Sequence, residues 1–211
     1  MTEVKYFVTS GPAAENCYFI YNEDNLLIVD PGNDFDKIKT FITETNRKPV
    51  AILLTHTHYD HIGAVEEVRH YYDIPVYVSP YEQAWLSSPE DNLSGLMRHS
   101  DMADIVCEPA DFEFEATSYT LGGMTFEVRE TPGHSRGGVS FVFHDDQFVI
   151  TGDALFAGSI GRSDLPTGNM EQLLTSVQTQ LFSLPPEFIA YPGHNGPTTI
   201  GHEIATNPFF N

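Results

Sequence analysis

The chain has 211 residues, which is enough for one large domain or two small ones. Its 30 acidic residues outnumber 10 scattered basic residues and give a formal net charge of -20, so we expect no nucleic-acid partner, because phosphate binding needs clustered Lys and Arg. No apolar run approaches the roughly 18 residues of a membrane span, and no secretion signal is visible, so we expect a cytoplasmic protein with no membrane partner.

Short apolar, β-branched and aromatic runs predict a series of strands, and helical periodicity occurs between some of them. The first predicted helix begins after Asp34 or Asp36, either of which we expect to cap it, and ends near Thr45. Two further helices are predicted over residues 64–71 and 170–181. The strands are predicted at residues 6–8, 17–21, 26–29, 51–54, 76–78, 125–129, 140–143, 148–151 and 188–191.

Residues 87–115 show weak periodicity and contain turn-forming residues, so we expect a loop with a short helix that acts as a flap over a site. Elsewhere the alternation of strands and helices indicates sheets packed together and covered by helices. No linker or repeat interrupts residues 1–211, which we therefore expect to form a single domain. Cys17 and Cys107 form no disulfide framework and are expected to be small buried hydrophobes.

A histidine-rich motif follows the predicted strand 51–54 directly, and it reads Thr-His-Thr-His-Tyr-Asp-His over residues 55–61. Imidazole and carboxylate groups are natural ligands of Zn, Fe and Mn. In an extended segment His56 and His58 project from the same side. If the chain then turns, Asp60 and His61 can face a second point nearby. A polar turn alone would explain Asp60 but not three histidines, so the motif predicts a metal site.

Three further motifs each place one metal-binding residue just beyond a predicted strand, where loops carry function on a rigid scaffold. They are Pro-Gly-His-Ser with His134, Thr-Gly-Asp with Asp153, and Tyr-Pro-Gly-His with His194. Each is weak alone. Together with the first motif they supply enough imidazoles and carboxylates for two metal ions that share one bridging carboxylate.

These motifs resemble those of the metallo-β-lactamase superfamily over nearly the whole chain, and most closely its short, single-domain glyoxalase-II-like hydrolases. The resemblance implies an α/β fold, a four-layer αβ/βα sandwich with two mixed sheets face to face and helices outside. It also implies that the C-terminal helical domain of full-length glyoxalase II is missing. Further matching segments are Asp30-Pro31-Gly32, Asn92-Leu93-Ser94, residues 153–166 and the tail over residues 196–209.

The resemblance also implies a role for each metal-binding residue and a reaction. The nucleophile would be a metal-bridging hydroxide, which the catalytic residue Asp60 both helps to bind and orients. The substrate would be a small acyl thioester, since a thiolate leaves without much protonation at neutral pH. We expect two divalent ions, first of all Zn, with Fe or Mn also fitting these ligands. One ion would be held by His56, His58 and His134, the other by Asp60, His61 and His194, with Asp153 bridging them.

The substrate contacts are less defined than the metal ligands. No Lys or Arg follows Arg162, which argues for weak binding of an anionic thiol carrier such as glutathione. Candidate contacts are Arg162, Tyr59 and Asn195. Each has an alternative: Arg162 can pair with Asp164 to hold its loop, Tyr59 can pack within its loop, and Asn195 can serve a turn.

A second class of enzyme shares most of these residues. Mononuclear iron sulfur (persulfide) dioxygenases resemble the same fold and would hold iron through His56, His134 and Asp153. The match over residues 158–166 favours the hydrolase. Metal content and oxygen consumption discriminate between the two.

Overall fold

The computed structural model describes residues 2–95 and 102–211. The chain divides into two compact units, which are taken separately below. The first unit comprises Met1–Phe114 with Thr120–Met124, and the second comprises Glu115–Tyr119 with Thr125–Asn211. The expectation of a single domain over the whole chain stays a prediction.

The first unit contains a six-stranded mixed sheet whose strands follow one another in chain order. The first three strands are antiparallel, and the later ones pair in parallel. Parallel neighbours need a crossover, and helices supply it here. The strands are β1 (Glu3–Val8), β2 (Asn16–Tyr21), β3 (Asn25–Val29), β4 (Lys48–Leu53), β5 (Val76–Val78) and β6 (Phe112–Glu113).

The helices of the first unit bury one apolar face against its sheet. In the first helix Ile38 and Ile42 enter the core, and in the third Val65 and Val68 do so. The spacing of these residues is that of one face of a helix. The elements are α1 (Phe35–Thr45), α2 (Tyr59–Ile62), α3 (Val65–Tyr72) and a 3-10 helix (Gln83–Ser87).

Helix α1 begins where the sequence predicts, but the side chain of Asp34 does not cap it. Asp34 occupies the N-cap position with a φ of 62°, and its carboxylate makes no capping hydrogen bond to the helix. It accepts instead from the backbone N–H of Ser10 at 2.8 Å, from the Ser10 hydroxyl and from Lys37 Nζ at 2.8 Å. The carboxylate therefore ties the loop after β1 to the start of the helix.

The second unit contains another six-stranded mixed sheet, in the order β14-β13-β10-β9-β8-β7. Its β10 and β13 pair in parallel, and β9 is antiparallel to both β8 and β10. A two-stranded hairpin, β11 (Leu155–Phe156) with β12 (Ser159–Ile160), follows β10. The sheet strands are β7 (Ser118–Leu121), β8 (Met124–Glu130), β9 (Val139–Phe143), β10 (Phe148–Gly152), β13 (Ile189–Pro192) and β14 (Thr198–Thr199).

The helix predicted over residues 170–181 is present with a change of geometry in the middle. It begins as α4 (Met170–Ser176) and continues as a π-helix (Val177–Leu181). Leu173, Val177 and Leu181 are all fully buried, so the wider turn keeps the predicted apolar stripe on the core side. The last helix is α5 (Ile200–Thr206).

Each predicted strand is confirmed, with ends that differ by a few residues. Sequence patterns missed β6, β11, β12 and β14, because strands of two residues leave no measurable alternation. They also missed β7, whose pattern is largely exposed, and the short helices α2 and α5.

The predicted loop over residues 87–115 begins where the 3-10 helix ends. Asn92 anchors it, since its side-chain amide donates to the carbonyl oxygens of Trp85 at 3.1 Å and Ile105 at 2.9 Å. Residues 96–101 lie outside the described residues, and the flap over a site stays a prediction. In the described part of the chain, no helix combines the length and apolar character that crossing a bilayer requires.

Both cysteines are buried and free, as the sequence predicts. Burial raises the pKa of the Cys17 thiol well above its usual value and raises the pKa of Cys107 to about 12. Thiolate is therefore scarce at pH 8. We expect intact-mass analysis to show no alkylation by iodoacetamide in folded protein and double alkylation in urea. Stoichiometric labelling of the folded protein would contradict this assignment.

Candidate metal centre

The histidine-rich motif lies between the end of β4 and the start of α2. His58 occupies the N-cap position of this helix in extended conformation, and the chain turns directly after it. The imidazole ring of His56 lies 4.7 Å from that of His58 and 4.1 Å from that of His61, centroid to centroid. The turn thus brings His61 next to His56. All three imidazoles are buried, and Asp60 is half-buried.

Asp30, which follows β3, orients two of these imidazoles. Its Oδ1 accepts from the backbone N–H of Thr55 at 2.8 Å, and its Oδ2 accepts from the Thr55 hydroxyl at 2.6 Å. Asp30 Oδ2 also accepts from His61 Nδ1 at 2.9 Å. Because the Thr55 hydroxyl gives its proton to Asp30, its oxygen accepts from His56 Nδ1 at 3.1 Å. Both imidazoles therefore carry the proton on Nδ1 and the lone pair on Nε2.

A second buried carboxylate holds the residue between His56 and His58. Glu82 Oε2 accepts from the backbone N–H of Thr57 at 2.7 Å and from its hydroxyl at 2.9 Å. The indole of Trp85 lies nearly parallel to the imidazole of His58, with centroids 6.4 Å apart. Sequence analysis missed Glu82, because a lone glutamate far along the chain carries no motif.

The Asp30-Pro31-Gly32 segment has a packing function as well. A Cβ on Gly32 would lie 1.7 Å from the carbonyl oxygen of Asp60, so no larger residue fits there. The carbonyl of Pro31 accepts from the backbone N–H of Ala64 at 2.9 Å. This close backbone contact fixes the turn that carries Asp60.

In the second unit three predicted ligands follow three strands of its sheet: His134 after β8, Asp153 after β10 and His194 after β13. Asp153 Oδ2 lies 3.4 Å from His134 Nε2 and 3.4 Å from His194 Nε2. One carboxylate oxygen therefore faces two imidazole nitrogens, which is an arrangement suited to a bridging ligand.

A backbone carbonyl orients His134. The Nδ1 atom donates to the carbonyl oxygen of Arg162 at 2.7 Å, which again leaves the lone pair on Nε2. Gly161 lets the chain pass close enough, since a Cβ there would lie 1.8 Å from the carbonyl oxygen of Asp153 and 3.1 Å from His134 Nδ1. The segment between Asp153 and Arg162 is thus packed directly against the ligands.

Two of the residues predicted to contact a substrate, Arg162 and Asn195, have the ion pair and the turn conformation that were their alternative roles. The guanidinium of Arg162 donates to both carboxylate oxygens of Asp164, at 2.8 and 2.7 Å, and holds the pKa of that carboxyl at about 2. Asn195 has a φ of 66°, typical of a turn. Tyr59 and Asp60 line a cavity of about 140 Å³ in the first unit. Contact of Arg162, Tyr59 or Asn195 with a substrate stays a prediction.

The donor set fits a divalent transition metal. In the first unit His61 Nε2 lies 3.6 Å from Asp60 Oδ2, and in the second unit Asp153 Oδ2 lies 3.4 Å from two imidazole nitrogens. In both units imidazoles donate from Nδ1 to a protein oxygen, the usual way in which proteins orient metal-binding histidines. The assignment of all seven ligands to two particular ions stays a prediction.

Comparison with known proteins gives the family. The model of the metallo-beta-lactamase superfamily matches residues 10–194, and the chain belongs to this superfamily. A protein of Streptococcus pyogenes described as a probable metallo-hydrolase is 52% identical, covering 94% of this chain and 86% of its own. Probable metallo-hydrolase YqgX of Bacillus subtilis is 44% identical, and the match covers 95% of this chain and 94% of that protein. Hydroxyacylglutathione hydrolase GloC of Haemophilus influenzae is 34% identical over 93% of each chain.

Solved structures confirm the predicted fold class of two mixed sheets with helices. BLEG-1 B3 metallo-beta-lactamase has a TM-score of 0.94 at 40% identity, covering 99% of this chain and 100% of its own. TTHA1623 in a di-iron-bound form has a TM-score of 0.85 at 36% identity, and the match covers 97% of this chain and 100% of that one. ETHE1 from Myxococcus xanthus has a TM-score of 0.76 at 26% identity, and the match covers 98% of this chain and 83% of that one.

The close packing at Gly161 makes a prediction about stability. Gly161→Ala should lower the free energy of unfolding by about 1–3 kcal/mol, because its Cβ meets backbone that must move. Gly196→Ala is the matched control, since no atom lies within 4 Å of a Cβ there, and it should change stability by less than about 0.5 kcal/mol. Urea denaturation measures both, and equal stability of the two variants would contradict the packing argument.

Proposed function

We propose that this chain is a metal-dependent hydrolase of a small acyl thioester, of the hydroxyacylglutathione hydrolase type. The observation that carries the proposal is the orientation of the imidazoles in each unit, with Nδ1 held by a protein oxygen and Nε2 left as the ligand atom. Membership of the superfamily supports the same ligand set. One ion would be held by His56, His58 and His134, and the other by Asp60, His61 and His194, with Asp153 shared.

The chemistry divides between the metal ions and the protein. Two bound divalent ions, Zn first of all, would lower the pKa of a water to about 7 and polarise the thioester carbonyl. Asp30 and the Arg162 carbonyl keep the imidazoles in the tautomer that binds metal. The half-buried carboxylate of Asp60, fixed by the turn of α2, orients the attacking water and accepts its proton.

A thioester suits this site because its leaving group needs little acid catalysis. A thiol has a pKa of about 8.5, so its thiolate departs readily at neutral pH. The similarity to GloC supports glutathione as a thiol carrier. The charge of the chain argues for weak affinity, since the net charge is -20 and Arg162 pairs with Asp164.

The direct test is thiol release from lactoylglutathione by Zn-loaded protein, followed with a thiol-trapping dye. We expect kcat/KM within the usual enzyme range of roughly 10⁴–10⁸ M⁻¹s⁻¹. A chain that binds two equivalents of Zn and releases no thiol from lactoylglutathione or from other short acyl thioesters would overturn the proposal.

The role of Asp60 makes a sharper prediction. Asp60→Ala should lower kcat at least about 100-fold while the protein stays folded, because it removes a positioned proton acceptor. His144→Ala is the control, since His144 is exposed and hydrogen-bonds to Glu127 at 2.6 Å, and it should retain wild-type turnover. Near-wild-type kcat in folded Asp60→Ala would show that the assigned role is wrong.

An iron-dependent sulfur dioxygenase is the second candidate. The similarity to ETHE1 and to a di-iron-bound structure favours keeping it. Our proposal predicts that iron-loaded protein consumes no oxygen with a glutathione persulfide in an oxygen-electrode assay. Stoichiometric oxygen consumption by protein that hydrolyses no thioester would replace the hydrolase with this candidate.

A further inference from the structure

Helix α5 and the residue after it carry two buried polar side chains that the proposed reaction does not use. Glu203 and Asn207 are both fully buried, although most of their helical neighbours are exposed. Both belong to the tail segment, residues 196–209, whose motif is part of the family resemblance. Burial of a carboxyl group is unfavourable unless hydrogen bonds compensate it, so its partners indicate what it does.

Glu203 is saturated with donors from three different parts of the second unit. Its Oε2 accepts from the backbone N–H of Gly158 at 3.0 Å and from Asn207 Nδ2 at 2.8 Å. Its Oε1 accepts from the Thr198 hydroxyl at 2.5 Å. Gly158 lies in the tight turn between β11 and β12, so the carboxyl group holds the tip of this hairpin.

Asn207 holds the next residue of the same turn. Its Nδ2 donates to the carbonyl oxygen of Ser159 at 3.0 Å as well as to Glu203. Its Oδ1 accepts from the backbone N–H of Phe209 at 3.1 Å, which fixes the amide orientation. Glu203 thus binds the N–H of Gly158, and Asn207 binds the carbonyl of the next residue, the first of β12.

The gripped hairpin connects directly to the ligands of the second unit. It begins just after Asp153 and ends just before Gly161 and Arg162. Arg162 supplies the carbonyl oxygen that orients His134, and Gly161 lies so close to the carbonyl of Asp153 that a Cβ would not fit. A hairpin with two residues in each strand has few hydrogen bonds of its own. Leu155 and Ile160 anchor its base in the core, and Glu203 and Asn207 hold its tip.

We propose that Glu203 and Asn207 are positioning residues for the metal ligands His134 and Asp153. They act through the β11–β12 hairpin, which places the Arg162 carbonyl against His134 Nδ1. The inference rests on the proposed metal site, and it assigns the tail segment a function in metal affinity beyond its contribution to folding.

The test is metal affinity of the purified chain, measured by competition with a chromogenic chelator. Glu203→Gln keeps the shape of the side chain but replaces one acceptor oxygen by an NH₂ group and removes the charge, so it should weaken Zn²⁺ binding about 10-fold, the lower end of effects for residues that orient ligands. The visible spectrum of the Co²⁺-loaded variant should change as well. Glu187→Gln is the matched control, because it removes the same charge from an exposed position in the same unit.

A second comparison separates positioning from loss of stability. Phe143→Leu lowers core packing in β9 away from the hairpin, and it should lower the melting temperature without changing Zn²⁺ affinity or the Co²⁺ spectrum. Asn207→Ala should weaken metal binding in the same direction as Glu203→Gln. The fold loss of Zn²⁺ affinity in the double variant should be smaller than the product of the fold losses in the two single variants, because both residues act on one turn.

The outcomes separate this inference from the proposed function. Wild-type protein that binds no Zn²⁺ would overturn the proposed function. Wild-type protein that binds two equivalents, with a folded Glu203→Gln variant of equal affinity and unchanged Co²⁺ spectrum, would overturn the positioning role alone. Equal weakening in Phe143→Leu would likewise assign the effect to stability.

Discussion

One buried carboxylate orients two of the first unit's candidate metal ligands. Asp30 fixes the backbone and hydroxyl of Thr55 and the Nδ1 atom of His61, and through Thr55 it also orients His56. Since an imidazole binds metal only through a nitrogen without a proton, this one side chain decides which atom of each ring is available. The histidine-rich motif supplies the candidate ligands, and Asp30 sets the tautomer of His56 and His61.

In the second unit the backbone orients the imidazole of His134. A peptide carbonyl, rather than a carboxylate, accepts from His134 Nδ1, and its position depends on a short hairpin and on a glycine that allows close approach. His61 faces an acceptor with a formal charge, whereas His134 faces a neutral one.

The sequence predicts most of the fold and names the candidate ligands, because both leave local patterns. Strands such as β4 and β10 are continuous apolar runs, and the ligand motifs follow them immediately. The residues that orient the ligands were largely missed, because Glu82 and the Arg162 carbonyl reach them across long stretches of chain. Asp34 illustrates the opposite error: the local pattern predicts a helix cap, but the carboxylate binds Ser10 and Lys37 instead.

The backbone contact at Arg162 separates what this position does for the metal from what its side chain does. The carbonyl oxygen that orients His134 is common to every amino acid, while the guanidinium points to exposed Asp164. Substitution at position 162 can therefore alter charge at the surface while His134 keeps its acceptor.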